Sequence, residues 1–248
     1  MDDVYAALTA QHAELDGVLA GITDADWSAP TPACPGWTVA DVVLHMAQTD
    51  EAAAAAAQGQ FSRFVSHAAE QRGEVDNAAD AAVERDRGTP PADLYARWQT
   101  AALDSRNALI ACDPSERVNW VAGEMAARTL TTTRLSECWI HTGDVVEALG
   151  RARQASDRMW HIARLAWRTI PYAFEREGAA APGPVAVALD APDGSTWSFG
   201  ADDAPTCISG PALDFCLVAA RRREPPDTAL TADGPDAAAV LALVRTYA

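Results

Sequence analysis

Glu137 and His141 sit four residues apart in "RLSECWIHTGDVVEALG", residues 134–150. In a helix that spacing puts both side chains on one face. The ordinary role of such a pair is a solvated contact worth about 0.3–0.5 kcal/mol. Here the neighbours are Leu135, Cys138 and Trp139, in a segment with few purely polar positions. A carboxylate turned inward among them needs a cation. His45 is a third candidate donor, set among Val42, Val43, Leu44 and Met46. On residue physics alone it reads as a core imidazole bonded to a neighbour, which is the commoner case, or as a metal ligand. His45, Glu137 and His141 together would make a two-histidine, one-carboxylate set. Three protein ligands with a vacant fourth position is the pattern of a catalytic zinc site. The same donors suit ferrous iron or nickel. Cys138, about 100° round the helix from Glu137, is a possible substitute ligand.

These residues need elements to position them. Residues 2–22 carry an apolar stripe through Val4, Leu8, Leu15, Leu19 and Ile22 at helical spacing. After the breakers of "APTPACPGW" a second helix opens at Thr38. Thr38 and Asp41 fit an N-cap and a variant capping box, with Trp37 and Val42 placed as a hydrophobic staple. The polar, alanine-rich stretch 61–90 reads as helix plus a long connection ending at "GTPPAD". Residues 92–112 form a third helix with Leu94, Trp98, Leu103 and Leu109 as core candidates, and "CDPSERVNWVAG" a loop. Helices are expected over 124–149 and 156–170, the latter with Trp160 and Trp167 on one face. The pattern changes after "EGAAAPGP". A β-hairpin over 185–200, strands at "APTCISG" and "DTALTAD", a helix opened by Pro211 and a closing helix follow. The fold class is therefore α+β. An all-helical region, 1–176, precedes a small α+β region, 177–248.

Composition bounds the function. The 248 residues carry 35 acids against 19 bases, a formal charge of −16. That charge repels phosphate backbones and anionic bilayers, so neither nucleic acid nor a membrane surface is an expected partner. Every base is arginine. Without lysine there is no Schiff-base chemistry and no phosphate-binding P-loop lysine. Five cysteines, an odd number with no CxxC, read as reduced thiols. No basic n-region precedes an apolar stretch, and no apolar run approaches the ~20 residues of a membrane span. A cytoplasmic location is expected, as a monomer or homodimer.

The stretch "CPGWTVADVVLHMAQTDEAA" (34–53) together with residues 134–150 resembles the DinB-like metal-binding superfamily. More closely, it resembles the mycothiol-dependent maleylpyruvate isomerases of actinobacteria and their subgroup without an assigned reaction. The matching positions are Pro35, Gly36, Trp37, Thr38, His45, Glu137, His141, Asp144 and Gly150. "GPALDFCLVAARR" and its flanking strands are similar to that family's small C-terminal domain. The resemblance implies a DinB-like four-helix bundle over residues 1–176. It also implies a divalent metal, usually zinc, on His45, Glu137 and His141.

That resemblance further implies mycothiol as cosubstrate, its thiol ionised by the metal for addition, isomerisation or S-transfer on a small electrophile. Asp144, one turn after His141, reads as the acceptor of its free N–H or as a surface acid. Arg134, one turn before Glu137, is a candidate reader of an anionic substrate. Among Arg221, Arg222 and Arg223, Arg222 takes the place of the family's pocket arginine; the alternative is a cationic turn complementing a helix dipole. His12, His67 and His161 have no constellation around them. Two rival readings stay open. One is a hydrolase or lyase using metal-bound water. The other is a non-catalytic metal-binding or regulatory protein, whose closed site would need Cys138 or Asp144 as fourth ligand.

Overall fold

The computed structural model describes residues 3–62 and 75–246. The chain divides after Arg153 into two units, each with its own core. The division precedes the helices of 156–176, which pack within the second unit. The pattern change at 177 marks the onset of strands.

In the first unit, α1 (Val4–Leu19), α2 (Val39–Ala57), α4 (Pro91–Ala111) and α5 (Ala127–Ala148) pack on one another, with α3 (Val75–Asp86) lying against α2. The entry to α2 is fixed by a complete capping box. Thr38 Oγ1 accepts from the Asp41 amide at 3.3 Å, and Asp41 Oδ2 accepts from the Thr38 amide at 2.9 Å. Such a cap is worth about 1 kcal/mol, and here it sets the rotation of the helix that presents His45. The core gathers Leu15, Leu19, Val42, Val43, Met46, Leu94, Trp98 and Val145. Proline at the start of α4 supplies a pre-set φ where the N–H has no helical partner.

Two expectations are corrected in this unit. Leu103 is 49% exposed, because the buried face of α4 runs through Leu94, Trp98, Ala101, Ala102, Ser105 and Leu109, and Leu103 lies off it. The segment read as a loop holds β1 (Arg117–Trp120), and its antiparallel partner β2 (Gly123–Ala126) takes the first residues of the helix expected over 124–149, which begins at Ala127. The positive-φ Gly123 starts the return strand. Within the 61–90 stretch, residues 63–74, His67 among them, lie outside the described residues.

The second unit opens with α6 (Met159–Arg168) and α7 (Ile170–Arg176). Strands β3 (Val185–Asp190), β4 (Thr196–Phe199), β5 (Thr206–Pro211) and β6 (Thr231–Asp233) form one sheet in the order β4-β3-β5-β6. The β3–β5 pair is parallel and its neighbours are antiparallel. Helix α8 (Ala212–Ala219) buries Phe215, Cys216, Leu217 and Val218, and α9 (Ala237–Leu243) follows β6. Trp160 and Trp167 share a face as expected: their rings lie 5.9 and 6.0 Å from that of Phe199. All five cysteines are free thiols. Among the described residues no helix is long and apolar enough to cross a membrane.

Between α1, α2, α4 and α5 lies an ionic cluster inside the core. Arg134, 1% exposed, donates from Nε to Asp50 Oδ1 at 3.1 Å and from its terminal nitrogen to Thr49 Oγ1 at 2.9 Å. His12 Nε2 faces Asp50 Oδ2 at 3.5 Å, and Arg106 donates to His12 Nδ1 at 2.7 Å. Burial is the chief force on His12; with the nearby guanidinia of Arg106 and Arg134 it outweighs Asp50 and lowers the imidazole pKa to about 4.

A stability consequence follows. His12 stays neutral in the fold where the unfolded chain already takes up a proton. The His12 contribution to stability is therefore full above pH 6.5 and falls as pH drops from 6.5 toward 4. By pH 4.5 the loss amounts to about 2.5 kcal/mol. Urea unfolding at pH 7 and 4.5 should show this loss in the native chain and a smaller one in His12→Gln. Equal losses in both would remove His12 as the cause.

Candidate metal centre

Helix α2 presents His45 and α5 presents Glu137 and His141 to the same point. His45 Nε2 lies 3.8 Å from Glu137 Oε2, and His141 Nε2 lies 3.6 Å from the same oxygen. The two imidazole centroids are 5.0 Å apart at 71°. One donor atom from each residue falls within 4.8 Å of the others, and among the described residues no fourth donor joins the three. These separations are too long for hydrogen bonds. They are close to the span of ligands sharing one ion: two atoms about 2.1 Å from a tetrahedral zinc lie about 3.4 Å apart. The site is sheltered yet open on one edge, since the Glu137 side chain keeps 24% of its surface exposed.

The electrostatics point the same way. His141 Nδ1 meets Asp144 Oδ2 at 3.0 Å. With the Nδ1 proton donated there, Nε2 faces the Glu137 carboxylate, and either a proton on Nε2 or a metal ion between the two satisfies both. Burial works to lower the His141 pKa, but Asp144, Cys34 and Glu137 outweigh it and hold it well above the usual value. For Glu137, burial is in turn outweighed by both imidazoles and Arg134, which hold its carboxyl well below its usual range. His45 is lowered, chiefly by burial. The cluster is thus a buried anion paired with imidazoles, and a proton or a metal ion satisfies it.

Asp144, held both as His141 acceptor and as surface acid at the sequence level, is 1% exposed and bonded to His141. Cys138 is turned elsewhere. Its sulfur contacts Thr142 Oγ1 at 3.8 Å in the core, where burial raises the thiol pKa far from thiolate chemistry. It lies outside the donor cluster, and Asp144 is engaged at His141 Nδ1, so neither closes the site. Arg134 does not face the opening: its guanidinium is enclosed and spent on Asp50. Arg222 belongs to the second unit, at the end of α8, where it donates to the Ala220 carbonyl at 3.2 Å. Arg221 there adopts a left-handed φ of 56°.

Two neighbours of the centre were given no place in it from the sequence, although Trp37 is among the positions matching the family. Cys34 donates to Asp144 Oδ2 at 3.5 Å, and Trp37 lays its ring 5.3 Å from that of His45. Both come from the Pro-Gly-Trp turn. That turn's bonds, Thr31 N to the Trp37 carbonyl and Trp37 N to the Cys34 carbonyl, fold it over the start of α2. The turn itself was the available signal.

The fold and site together define an α+β chain whose helical unit carries a two-histidine, one-carboxylate cluster. The family model for the mycothiol maleylpyruvate isomerase N-terminal domain matches residues 8–146, and that for the corresponding C-terminal domain matches residues 168–241. The chain belongs to the mycothiol maleylpyruvate isomerase family. An uncharacterised protein of Mycobacterium tuberculosis, found in strains CDC 1551 and H37Rv, is 35% identical over 98% of this chain and 94% of its own length. The crystal structure of mycothiol-dependent maleylpyruvate isomerase, and that of a point mutant of it, superpose with a TM-score of 0.63 at 17% identity, covering 94% of this chain and 95% of theirs. That likeness is one of fold.

Proposed function

We propose that the protein is a divalent-metal-dependent enzyme, with zinc the metal its donors fit, that activates a low-molecular-weight thiol such as mycothiol against a small electrophile. Addition with isomerisation is the reaction class the family relationship favours. The observation that carries this reading is the convergence of His45, Glu137 and His141 on one point, with ligand atoms 3.6 and 3.8 Å apart and one edge open. We read the packed helices α1, α2, α4 and α5 as a DinB-like four-helix bundle, an architecture that aims ligands from facing helices into a shared interior. A cytoplasmic location follows from the thiol chemistry and the free cysteines.

A cation held by His45, Glu137 and His141 would supply the Lewis acidity that keeps a thiol ionised at neutral pH. The chain does the rest. His45 and His141 offer neutral nitrogens, Glu137 offers the charge, and Asp144 fixes the His141 tautomer so that Nε2 faces the cluster. The Trp37 ring limits the swing of His45. Thiol and electrophile would reach the cluster over the exposed edge of Glu137.

The test is turnover. The zinc-loaded protein is offered a panel of activated electrophiles with mycothiol, with glutathione and with no thiol. Turnover with mycothiol and none without it is expected. Metal-dependent turnover indifferent to any thiol would overturn the proposal in favour of water as nucleophile.

A further inference from the structure

Arg153 lies beyond the end of α5 but folds back across it. Its side chain is 6% exposed. The terminal nitrogens donate to Asp144 Oδ1 at 2.7 Å and to the Ile140 carbonyl at 3.1 Å, and Nε donates to Glu147 Oε1 at 2.6 Å. The guanidinium carbon sits 5.6 Å from the centre of the Trp139 ring. Asp144 is therefore held through one oxygen by Arg153, and its other oxygen takes His141 Nδ1 at 3.0 Å and the Cys34 thiol at 3.5 Å.

Gly143 explains how the guanidinium reaches this place. A Cβ at that position would overlap the Arg153 guanidinium carbon and its nitrogens, so the missing side chain is the seat in which the cation lies. A glycine in a buried helix interior weakens the helix, and its φ here is not left-handed, so no backbone demand accounts for it. Space for Arg153 does.

We infer that Arg153, seated on Gly143, is a positioning residue for the metal centre: it fixes Asp144, which orients and sharpens His141 as a ligand. The inference rests on the metal reading above. Hydrogen-bonded partners of ligating groups typically contribute 10–100-fold to metal affinity.

The experiment compares zinc affinity, by chelator competition, with the melting temperature of the metal-free protein in four chains: native, Arg153→Ala, Gly143→Ala and Arg97→Ala. Gly143→Ala keeps every charge and favours the helix, yet displaces the guanidinium, which as the far end of a flexible side chain is the part that yields. It therefore reports even if Arg153→Ala folds poorly. Arg97→Ala breaks ion pairs to Glu51 and Asp86, which lie outside the donor cluster, and controls for lost stability alone. Zinc affinity 10–100-fold weaker in Arg153→Ala and Gly143→Ala, with Arg97→Ala melting lower but binding as the native chain does, is the expected result. If the native chain binds zinc and Gly143→Ala matches it within twofold, the role of Arg153 is overturned and the metal reading stands. If the native chain takes up no zinc, the metal reading falls and this inference with it.

Discussion

Replacing His45 with alanine should leave a folded protein that retains no zinc. Among the described residues the imidazole is one of three clustered donors, and no fourth joins them. Loss of a direct ligand must exceed the 10–100-fold that removing a supporting hydrogen bond costs, so binding should weaken by more than that and thiol-dependent turnover should vanish with it. Glu137→Gln should do the same by a different route, because it keeps the side chain's volume but removes the charge that balances the cation. Cys138→Ser is the control. Its sulfur is in the core beside Thr142 and serves no donor group, so zinc content should be unchanged. Metal analysis of the purified variants, with circular dichroism to establish folding, decides the matter. Stoichiometric zinc in His45→Ala would show that the metal, if present, is held elsewhere.

What could be read beforehand was what repeats locally. The capping box at Thr38, the Glu-x-x-x-His spacing and the alternation over 185–190 are written within one turn or one strand, and each appears in the structure. Leu103 misled because a leucine in a helix invites burial, while the 3.6-residue period carries it off the face of Leu94, Trp98 and Leu109. The hairpin of 117–126 was hidden by its length, since strands of four residues joined at Gly123 show too little alternation. The ionic core is the deeper case. Arg134 finds Asp50 across 84 positions and Arg106 finds His12 across 94. No spacing rule links residues that only packing brings together. The same holds for Arg153, whose role depends on a notch in a neighbouring turn rather than on any motif around itself. The three candidate donors were legible because two of them share a helix face, and the third follows a turn with a distinct signature.

Arg134 is where stability and catalysis separate most sharply. Removing one partner of a fully buried pair leaves the other charge without water or a counter-ion, which costs about 3–5 kcal/mol. Arg134→Met should therefore destabilise the protein by that amount, the largest single-site effect expected in the helical unit. Asp50 would be left facing His12, whose lowered pKa makes it a poor substitute cation at neutral pH. Arg134→Met with Asp50→Leu should recover much of the loss, because replacing both charges with apolar groups removes the stranded ion. Urea unfolding of the two single variants and the double one gives the coupling directly. The same proteins test the alternative that Arg134 reads the substrate. An arginine in that role would raise KM on replacement, and the double variant would not lower it again. A core ion pair moves the unfolding midpoint and leaves KM of the folded fraction in place. The enclosure of the guanidinium, 1% exposed and bonded to Asp50 and Thr49, fits only the second pattern, since a group that cannot reach solvent cannot greet a ligand arriving from it.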